Sequence, residues 1–264
     1  MANGWRSYDE VAEIYERVHA PRFAEPARDL VALAGIGSGW HVLDLGTGTG
    51  VVGEAARAAG AVVVGADPSI GMLQIARRVR PDLPVTGAEA LDLPFRAGAF
   101  DGVLAGFVLA HCTRPDTALF DVMRVTKPGG TVAVSSWADG RDAFTTTWLE
   151  LVHGVVPKEI LRSALDGAIP NHERFRRSEY LSETLHRSGV RKIRVERMAY
   201  EWGYTQADYL DGLKTWATAR FVRGMVGEDA WERLLQRARG LFAERFPDPL
   251  HDRRTVLLAT GIKE

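Results

Sequence analysis

The feature that most constrains the fold of this chain is a glycine-rich segment at residues 42–50, Val-Leu-Asp-Leu-Gly-Thr-Gly-Thr-Gly. An apolar run ends at an aspartate, Asp44, and is followed by Gly46, Gly48 and Gly50, three glycines spaced by two. Glycine is needed where the backbone takes a positive φ or approaches a ligand with no Cβ in between. The segment predicts a β-strand that turns sharply into a helix beside a ligand, although a turn without any ligand is also compatible with it.

Short β-branched runs alternate with helical patterns on both sides of this turn. Strands are predicted at residues 41–45, 61–66, 83–88, 102–107 and 131–136, and helices at 51–59, 70–78 and 116–125. Strict alternation of strand and helix predicts a parallel sheet with helices on both faces. The 264 residues, 46% hydrophobic and 25% charged, suit one large α/β domain.

The remaining segments predict helices around this sheet. Val11, Ile14, Tyr15 and Val18 fall on one face of an N-terminal helix. After Trp137, a helical stretch precedes a predicted strand at 192–197, and a second helical block at about 206–245 precedes a strand at 255–260. These helices cannot all cover the sheet, so part of them is expected to form a cap over the carboxyl ends of the strands, where open α/β sheets bind ligands.

Charge and cysteine content exclude several classes of function. The formal net charge of −1 gives no reason to expect binding to nucleic acid or to an anionic membrane. Cys112 is the only cysteine, so an intramolecular disulfide is excluded and a thiolate metal site is not expected. With neither a signal-peptide pattern nor an apolar run of membrane-spanning length, we expect a cytoplasmic protein, monomeric or homodimeric, without a metal.

Two classes of cofactor, dinucleotides and S-adenosylmethionine, could bind at the glycine turn. Gly48, Gly50 and Gly53 also satisfy the G-x-G-x-x-G pattern of dinucleotide sites. Asp44, however, would place a carboxylate beside a doubly charged pyrophosphate, and dinucleotide sites avoid this repulsion. In addition, the glycine loop begins one turn earlier after the first strand than it does in dinucleotide sites. The same acid suits S-adenosylmethionine (SAM), because the methionine end of SAM carries an ammonium group. The turn therefore favours SAM.

Acidic residues follow the next two predicted strands. Asp67, before Pro68 and Ser69, could accept hydrogen bonds from both ribose hydroxyls of either cofactor. It could equally cap the helix that begins at Ile70, unless Ser69 takes that role. Glu89 is expected to end the third strand, where a carboxylate can accept from an exocyclic amine, although an exposed loop acid would look the same.

Together these segments resemble the class I SAM-dependent methyltransferases, in particular the group that includes the ubiquinone and menaquinone C-methyltransferases. The resemblance covers Tyr8 to about Ser136. Besides the glycine turn, it rests on Asp67-Pro68-Ser69 with Met72-Leu73 and Ala76, Glu89-Ala90 before Leu93-Pro94-Phe95, Phe100-Asp101, Val108 to His111, Arg124-Val125, and Lys127 to Gly130. It implies a Rossmann-like, seven-stranded, mostly parallel sheet whose last strand is antiparallel, the fold class expected here.

The resemblance also assigns residues to the cofactor. Glycines of the turn would line SAM, Asp67 would hold the ribose, Glu89 and Ala90 would meet the adenine, and Met72 would pack nearby. Tyr8 and Tyr15 could close over the cofactor or belong to the packing of their helix. The predicted cofactor-binding set is Asp44, Gly46, Thr47, Gly48, Gly50, Asp67, Pro68, Met72, Glu89, Ala90, Tyr8 and Tyr15.

The implied reaction is methyl transfer to a small organic acceptor of the quinol, phenol or secondary-metabolite type. A base is needed only if the acceptor must lose a proton. His111, just past the fourth strand, is the first candidate for that base, and a structural role is its alternative. Two other functions stay open, an RNA or protein methyltransferase and a SAM-binding protein that transfers no methyl group.

The expected organisation is a single domain. Residues 1–35 would form an N-terminal helical cap, 36–137 the SAM-binding core, 138–190 and 203–250 further cap helices, and 191–202 and 251–264 the closing strands. Five tryptophans follow the fifth strand, and one or two of them are expected to wall the acceptor pocket: Trp137, Trp148, Trp202, Trp216 and Trp231.

Overall fold

The computed structural model describes residues 8–140 and 142–264 and contains a seven-stranded sheet of order β3-β2-β1-β4-β5-β7-β6. β7 is antiparallel to both of its neighbours, and β1 to β5 are mutually parallel, as the sequence predicts. The strands are β1 (His41–Leu45), β2 (Val62–Asp67), β3 (Val85–Gly87), β4 (Phe100–Gly106), β5 (Thr126–Trp137), β6 (Val190–Tyr204) and β7 (Leu250–Lys263).

Helices cover both faces of this sheet and form a separate layer at one end. A 3₁₀ turn at Asp9–Val11, the short α1, and a π-helical stretch at Tyr15–His19 run directly into α2. The α-helices are α1 (Ala12–Ile14), α2 (Ala20–Leu33), α3 (Val51–Ala58), α4 (Ile70–Val79), α5 (Pro115–Val125), α6 (Ala143–His153), α7 (Lys158–Ala168), α8 (Ser178–Arg187), α9 (Gln206–Leu213), α10 (Ala217–Val226) and α11 (Glu228–Arg245).

Alternate strand residues face opposite sides of the sheet, as the period of a β-strand requires. Val42 packs with α2 and α3 on one face, whereas Leu43 packs on the other face, with α5 and α8. The sequence predicts that residues 1–35 and 138–190, which include α2 and α8, belong to the cap. The structure places α8 and the second half of α2 on the sheet instead, because they bury apolar residues such as Leu185 and Leu30 against it.

The cap has its own apolar core. Trp148 of α6 and Trp231 of α11 are fully buried there with their rings 5.8 Å apart, together with Leu213 and Phe242. The predicted helical block at 206–245 is divided into α9, α10 and α11. Gly227, at a φ of +78°, separates the last two of these helices, because glycine adopts this conformation without steric cost.

β6 and β7 pair as a long antiparallel hairpin with α9, α10 and α11 inserted between its two strands, and both strands are longer than predicted at 192–197 and 255–260. Their pairing runs from Val190 opposite Lys263 to Tyr204 opposite Leu250, with a register shift between Arg191 and Arg194. The outer part of β6 carries large aromatic side chains that pack beyond the parallel strands, so the hairpin extends past the sheet and contacts the cap.

The N-terminal segment is held against α4. One carboxylate oxygen of Asp9 accepts hydrogen bonds from Ser69 Oγ (2.7 Å) and from the backbone amide of Gly71 (2.8 Å). Glu13 pairs with Arg78 through two bonds of 2.6 Å. Residues 1–7 of the predicted N-terminal cap lie outside the described residues. In the described part of the chain, none of the helices is both long and apolar enough to cross a membrane.

A buried ion pair joins α2 to the hairpin. Arg22 donates to Asp252 at 2.9 Å, and its guanidinium carbon lies 4.8 Å from the ring centroids of Trp202 and Tyr204. Burial lowers the pKa of Arg22 to about 10 and raises the pKa of Asp252, because removing each charge from water outweighs the attraction between them.

We predict that Asp252→Asn is strongly destabilising, since it leaves a buried guanidinium without its counter-charge. The free energy of unfolding should fall by about 3–5 kcal/mol, measured by chemical denaturation. Glu201→Gln is the matched control, because it removes an exposed partner of Arg253 on the same hairpin and should cost less than about 0.5 kcal/mol. Equal losses in the two variants would show that the buried pair does not hold α2 to the hairpin.

Candidate functional site

The glycine turn after β1 has three positive φ angles, +64° at Gly46, +55° at Gly48 and +99° at Gly50. A Cβ at Gly46 would lie 2.1 Å from Cγ2 of Val108, whereas a Cβ at Gly48 would meet no atom within 4 Å. The turn is thus packed tightly against the residues after β4 on one side and is open at Gly48. This open side can receive a ligand close to the backbone.

Asp44 lies underneath the turn and is only 1% exposed. Its Oδ2 accepts hydrogen bonds from Thr47 Oγ1 (2.6 Å) and from the backbone amide of Gly53 (2.7 Å). Burial raises the pKa of Asp44 to about 6 despite these bonds. The sequence predicts this carboxylate beside the methionine ammonium, and the structure directs one of its oxygens into the protein, where it fixes the shape of the turn.

Asp67 connects the end of β2 to the same turn. Oδ2 of Asp67 accepts from the amide of Gly48 and Oδ1 from the amide of Ser69, both at 2.8 Å. Burial raises the pKa of Asp67, since it outweighs the two amide bonds. The hydroxyl of Ser69 accepts from the amide of Met72 and caps α4, so Ser69 takes the capping role that Asp67 could have had.

Glu89 does not end the third strand, as the sequence analysis expected. β3 stops at Gly87, and Glu89 is exposed in the loop that follows it. The amide of Ala88 donates to the backbone oxygen of Asp67 at 3.2 Å, so this loop begins beside the end of β2. Pro68 is exposed, and Ala90 packs partly buried against the core.

Aromatic side chains from the N-terminal segment lie beside α4. Tyr8, Tyr15 and Met72 belong to one apolar cluster, with the two tyrosine rings 6.1 Å apart. Burial raises the pKa of both tyrosines, so both hydroxyls are protonated at neutral pH. Arg220 of α10 places its guanidinium carbon 4.5 Å from the Tyr8 ring centroid, which brings the cap to the N-terminal segment. No pattern in the sequence connects Arg220 with Tyr8.

His111 ends a 3₁₀ turn at Leu109–His111, and its ring lies 6.0 Å from the ring of Tyr8. The protein around the ring and the positive charge of Arg220 lower the pKa of His111. The imidazole is therefore neutral at pH 7 and able to accept a proton.

A group of aromatic rings lies at the ends of β4 and β5. Phe107 follows β4, Trp137 ends β5 and Phe23 reaches them from α2, with ring centroids 4.7–5.9 Å apart. Trp137 is among the pocket residues that the sequence predicts, whereas the two phenylalanines are not. The position of Phe107 just after an apolar strand was the available signal.

The residues around the turn fit SAM. SAM has ribose hydroxyls, which need hydrogen-bond acceptors, and an ammonium group, which needs negative charge nearby. Asp67 lies beside the open glycine turn and Asp44 beneath it, so both needs can be met. A pyrophosphate would meet the same acids, and the cation that contacts the turn, Arg80, is already paired with Glu16 and Glu54. The alternative of a dinucleotide site is therefore disfavoured.

The fold and site define the class of SAM-dependent methyltransferases, and comparison with known proteins agrees. Residues 43–134 match the family model described as methyltransferase domain. The structure of phosphoethanolamine N-methyltransferase 2 from Haemonchus contortus, in complex with phosphomonomethylethanolamine and S-adenosylhomocysteine, is similar in fold, with a TM-score of 0.59 and 18% identity. The similarity covers 97% of this chain and 57% of that chain.

Closer relatives in sequence are demethylmenaquinone methyltransferases. The enzyme of Renibacterium salmoninarum is 33% identical over 170 residues, which is 59% of this chain and 71% of that protein. The enzyme of Streptomyces avermitilis is 40% identical over 109 residues, 39% of this chain and only 47% of that protein. The chain belongs to the SAM-dependent methyltransferase family, whose cofactor is SAM.

We predict that ionisation of Asp44 lowers the stability of the cofactor-free protein. Because the pKa is about 6 when folded and near 3.8 when unfolded, the folded state holds the proton more strongly between these values. The free energy of unfolding of the wild type, minus that of Asp44→Asn, should therefore fall by about 3 kcal/mol as the pH rises from about 3 to about 7, with about 2 kcal/mol of the fall between about pH 4 and pH 6. Denaturant titrations at several pH values measure this difference. A difference that rises with pH would mean that hydrogen bonds, not burial, dominate at Asp44.

Proposed function

We propose that this protein transfers the methyl group of SAM to a carbon, oxygen or nitrogen atom of a small organic acceptor of the quinol, phenol or secondary-metabolite type. The observation that carries this proposal is the 2.8 Å bond between Asp67 and the amide of Gly48, which unites the ends of β1 and β2 beside an open turn. The name of the relatives, demethylmenaquinone methyltransferase, supports a quinol-like acceptor.

In this proposal, each part of the cofactor meets a different part of the chain. Asp67 receives the ribose hydroxyls on the lone pairs that its two amide bonds leave available. Asp44 acts through the shape of the turn and through its negative charge. The glycine turn lines the cofactor, and the adenine lies among residues after β2 and β3: Gly46, Thr47, Gly48 and Gly50 for the turn, and Pro68, Met72, Glu89 and Ala90 for the adenine.

When bound, SAM supplies a methyl group that is already activated on a sulfonium. The chain then has to align the acceptor with that methyl group and exclude water. Tyr8 and Tyr15 pack against α4 and close the cofactor side of the site. Arg220 contacts the ring of Tyr8, so α10 lies beside the two tyrosines. We infer that the N-terminal segment and the cap form one lid on a single domain, and that the protein acts in the cytoplasm as a monomer or homodimer.

His111 is proposed as the general base for an acceptor that must lose a proton. Its ring is neutral at pH 7 and exposed, so the ring nitrogen that carries no proton is available to take one from an acceptor. A structural role through its contact with Tyr8 is the alternative.

We predict that Asp67→Ala weakens SAM binding by roughly 2–4 kcal/mol, because two charge-assisted bonds to the ribose are lost. Titration calorimetry with SAM, S-adenosylhomocysteine and NAD measures this affinity. Ser69→Ala is the matched control, since it removes the cap of α4 at a cost of about 1 kcal/mol in stability but should leave SAM affinity nearly unchanged. Wild-type binding of NAD without binding of SAM would contradict the proposed function.

We predict that His111→Gln lowers turnover by about 10²–10⁴-fold and leaves SAM affinity nearly intact, because it removes only the proton acceptor. The rate of S-adenosylhomocysteine release, followed against pH with an acceptor that must be deprotonated, should also lose the limb that reports the histidine. Weaker SAM binding or a lower melting temperature, with an unchanged pH profile, would instead indicate the structural role.

A further inference from the structure

Phe107 has a backbone conformation that is rare for its residue type. Its φ is +60°, in the left-handed region that a bulky L-residue adopts only against steric resistance. Such strain persists where the surrounding structure enforces it, and it clusters at binding and catalytic sites. Phe107 directly follows β4, at the carboxyl end of the sheet where ligands of this fold bind.

Two neighbours hold Phe107 in this conformation. Its amide donates to both the backbone oxygen and the Oγ of Ser135, each at 3.1 Å, and Ser135 is buried in β5. The next residue, Val108, fills the space above Gly46 so closely that a Cβ at Gly46 would overlap it. The strained residue is therefore fixed between β5 and the glycine turn.

The strained backbone places an aromatic ring among two others. The Phe107 ring lies 4.9 Å from Phe23 at an interplanar angle of 52° and 4.7 Å from Trp137 at 39°. All three rings are only partly buried, although aromatic rings packed this closely usually belong to a sealed core. Phe107, Phe23 and Trp137 together form a surface of three tilted rings beside the glycine turn, called the aromatic wall.

The charges next to this wall are balanced. Arg22 and Arg254 lie over Trp137, with guanidinium carbons 5.9 Å and 5.2 Å from its ring centroid. Each is paired at 2.9 Å with a carboxylate, Arg22 with Asp252 and Arg254 with Asp142. The wall is therefore an apolar aromatic surface. The paired arginines beside it leave no net positive charge that would attract an anionic substituent of the acceptor.

We propose that Phe107 is a specificity-determining residue, held by its strained backbone so that its ring, with Phe23 and Trp137, receives the planar, uncharged aromatic ring of the acceptor. This inference rests on the proposed function. It predicts that aromatic acceptors are preferred over saturated acceptors with the same nucleophilic group, because a flat ring gains contact with the wall that a puckered ring does not.

The kinetic test measures release of S-adenosylhomocysteine with probes whose nucleophilic groups are matched, benzylamine against cyclohexylmethylamine and benzyl alcohol against cyclohexylmethanol, and with phenol and naphthoquinol as further aromatic probes. We expect the wild type to prefer the aromatic member of each pair. Phe107→Ala should lower kcat/KM for the aromatic probes by about tenfold, mainly through KM, with SAM affinity unchanged, and Phe107→Tyr should restore most of the loss. Phe120→Ala, which removes a phenyl group that is 71% exposed on α5, is the control and should change neither value.

The strain itself is tested by stability. Phe107→Gly should melt about 2–6 °C above Phe107→Ala, because only glycine relieves a positive φ. A melting temperature of the alanine variant equal to or above that of the glycine variant would overturn the claim of strain. Methylation of aromatic probes by the wild type, with no change in Phe107→Ala, would overturn the role of the ring and leave the proposed function intact. Release of no S-adenosylhomocysteine with any probe, despite SAM binding, would overturn both.

Discussion

Asp44 accepts hydrogen bonds from Thr47 and from the amide of Gly53 with the same oxygen, and these two bonds join the end of β1 to the beginning of α3. The carboxylate is buried, so the bonds are not weakened by competition with water. The turn they shape leaves the amide of Gly48 directed at Asp67, which in turn positions the end of β2. The geometry of the cofactor side thus follows from one carboxylate beneath the backbone. Because this carboxyl group is buried, its pKa is raised and its ionised form is disfavoured.

The central part of the sheet could be predicted because its signals are local. The apolar run before Asp44 and the spacing of the glycines specify a strand and a turn within a few residues, and β1 begins and ends where the pattern predicts. The layer to which a helix belongs could not be predicted, because it depends on distant partners. α8 resembles other amphipathic helices in sequence and joins the sheet only because Leu185 packs against it.

The same distinction applies to the site. Asp67 and the turn were recognisable from their order along the chain, whereas Glu89 was placed on a strand that ends two residues earlier. Arg220 and Phe107 were not found, for different reasons. Arg220 reaches Tyr8 only through the packing of the cap, and the importance of Phe107 lies in a φ angle that residue identity does not reveal. Residues that a local pattern specifies are thus easier to predict than those that depend on long-range packing or on a single backbone angle.

The β6–β7 hairpin has a consequence for the behaviour of the protein at high concentration. β6 is the last strand of the sheet order, and within the described residues its outer edge is not paired with another strand. A long, open edge is a template for pairing with other chains. Along β6, however, Lys192, Arg194 and Arg197 are exposed, and Lys192 has a φ of +50° at the register shift. Arg194 is paired with Glu196, but positive charge remains in excess along β6, and this excess and the local distortion together oppose intermolecular sheet growth.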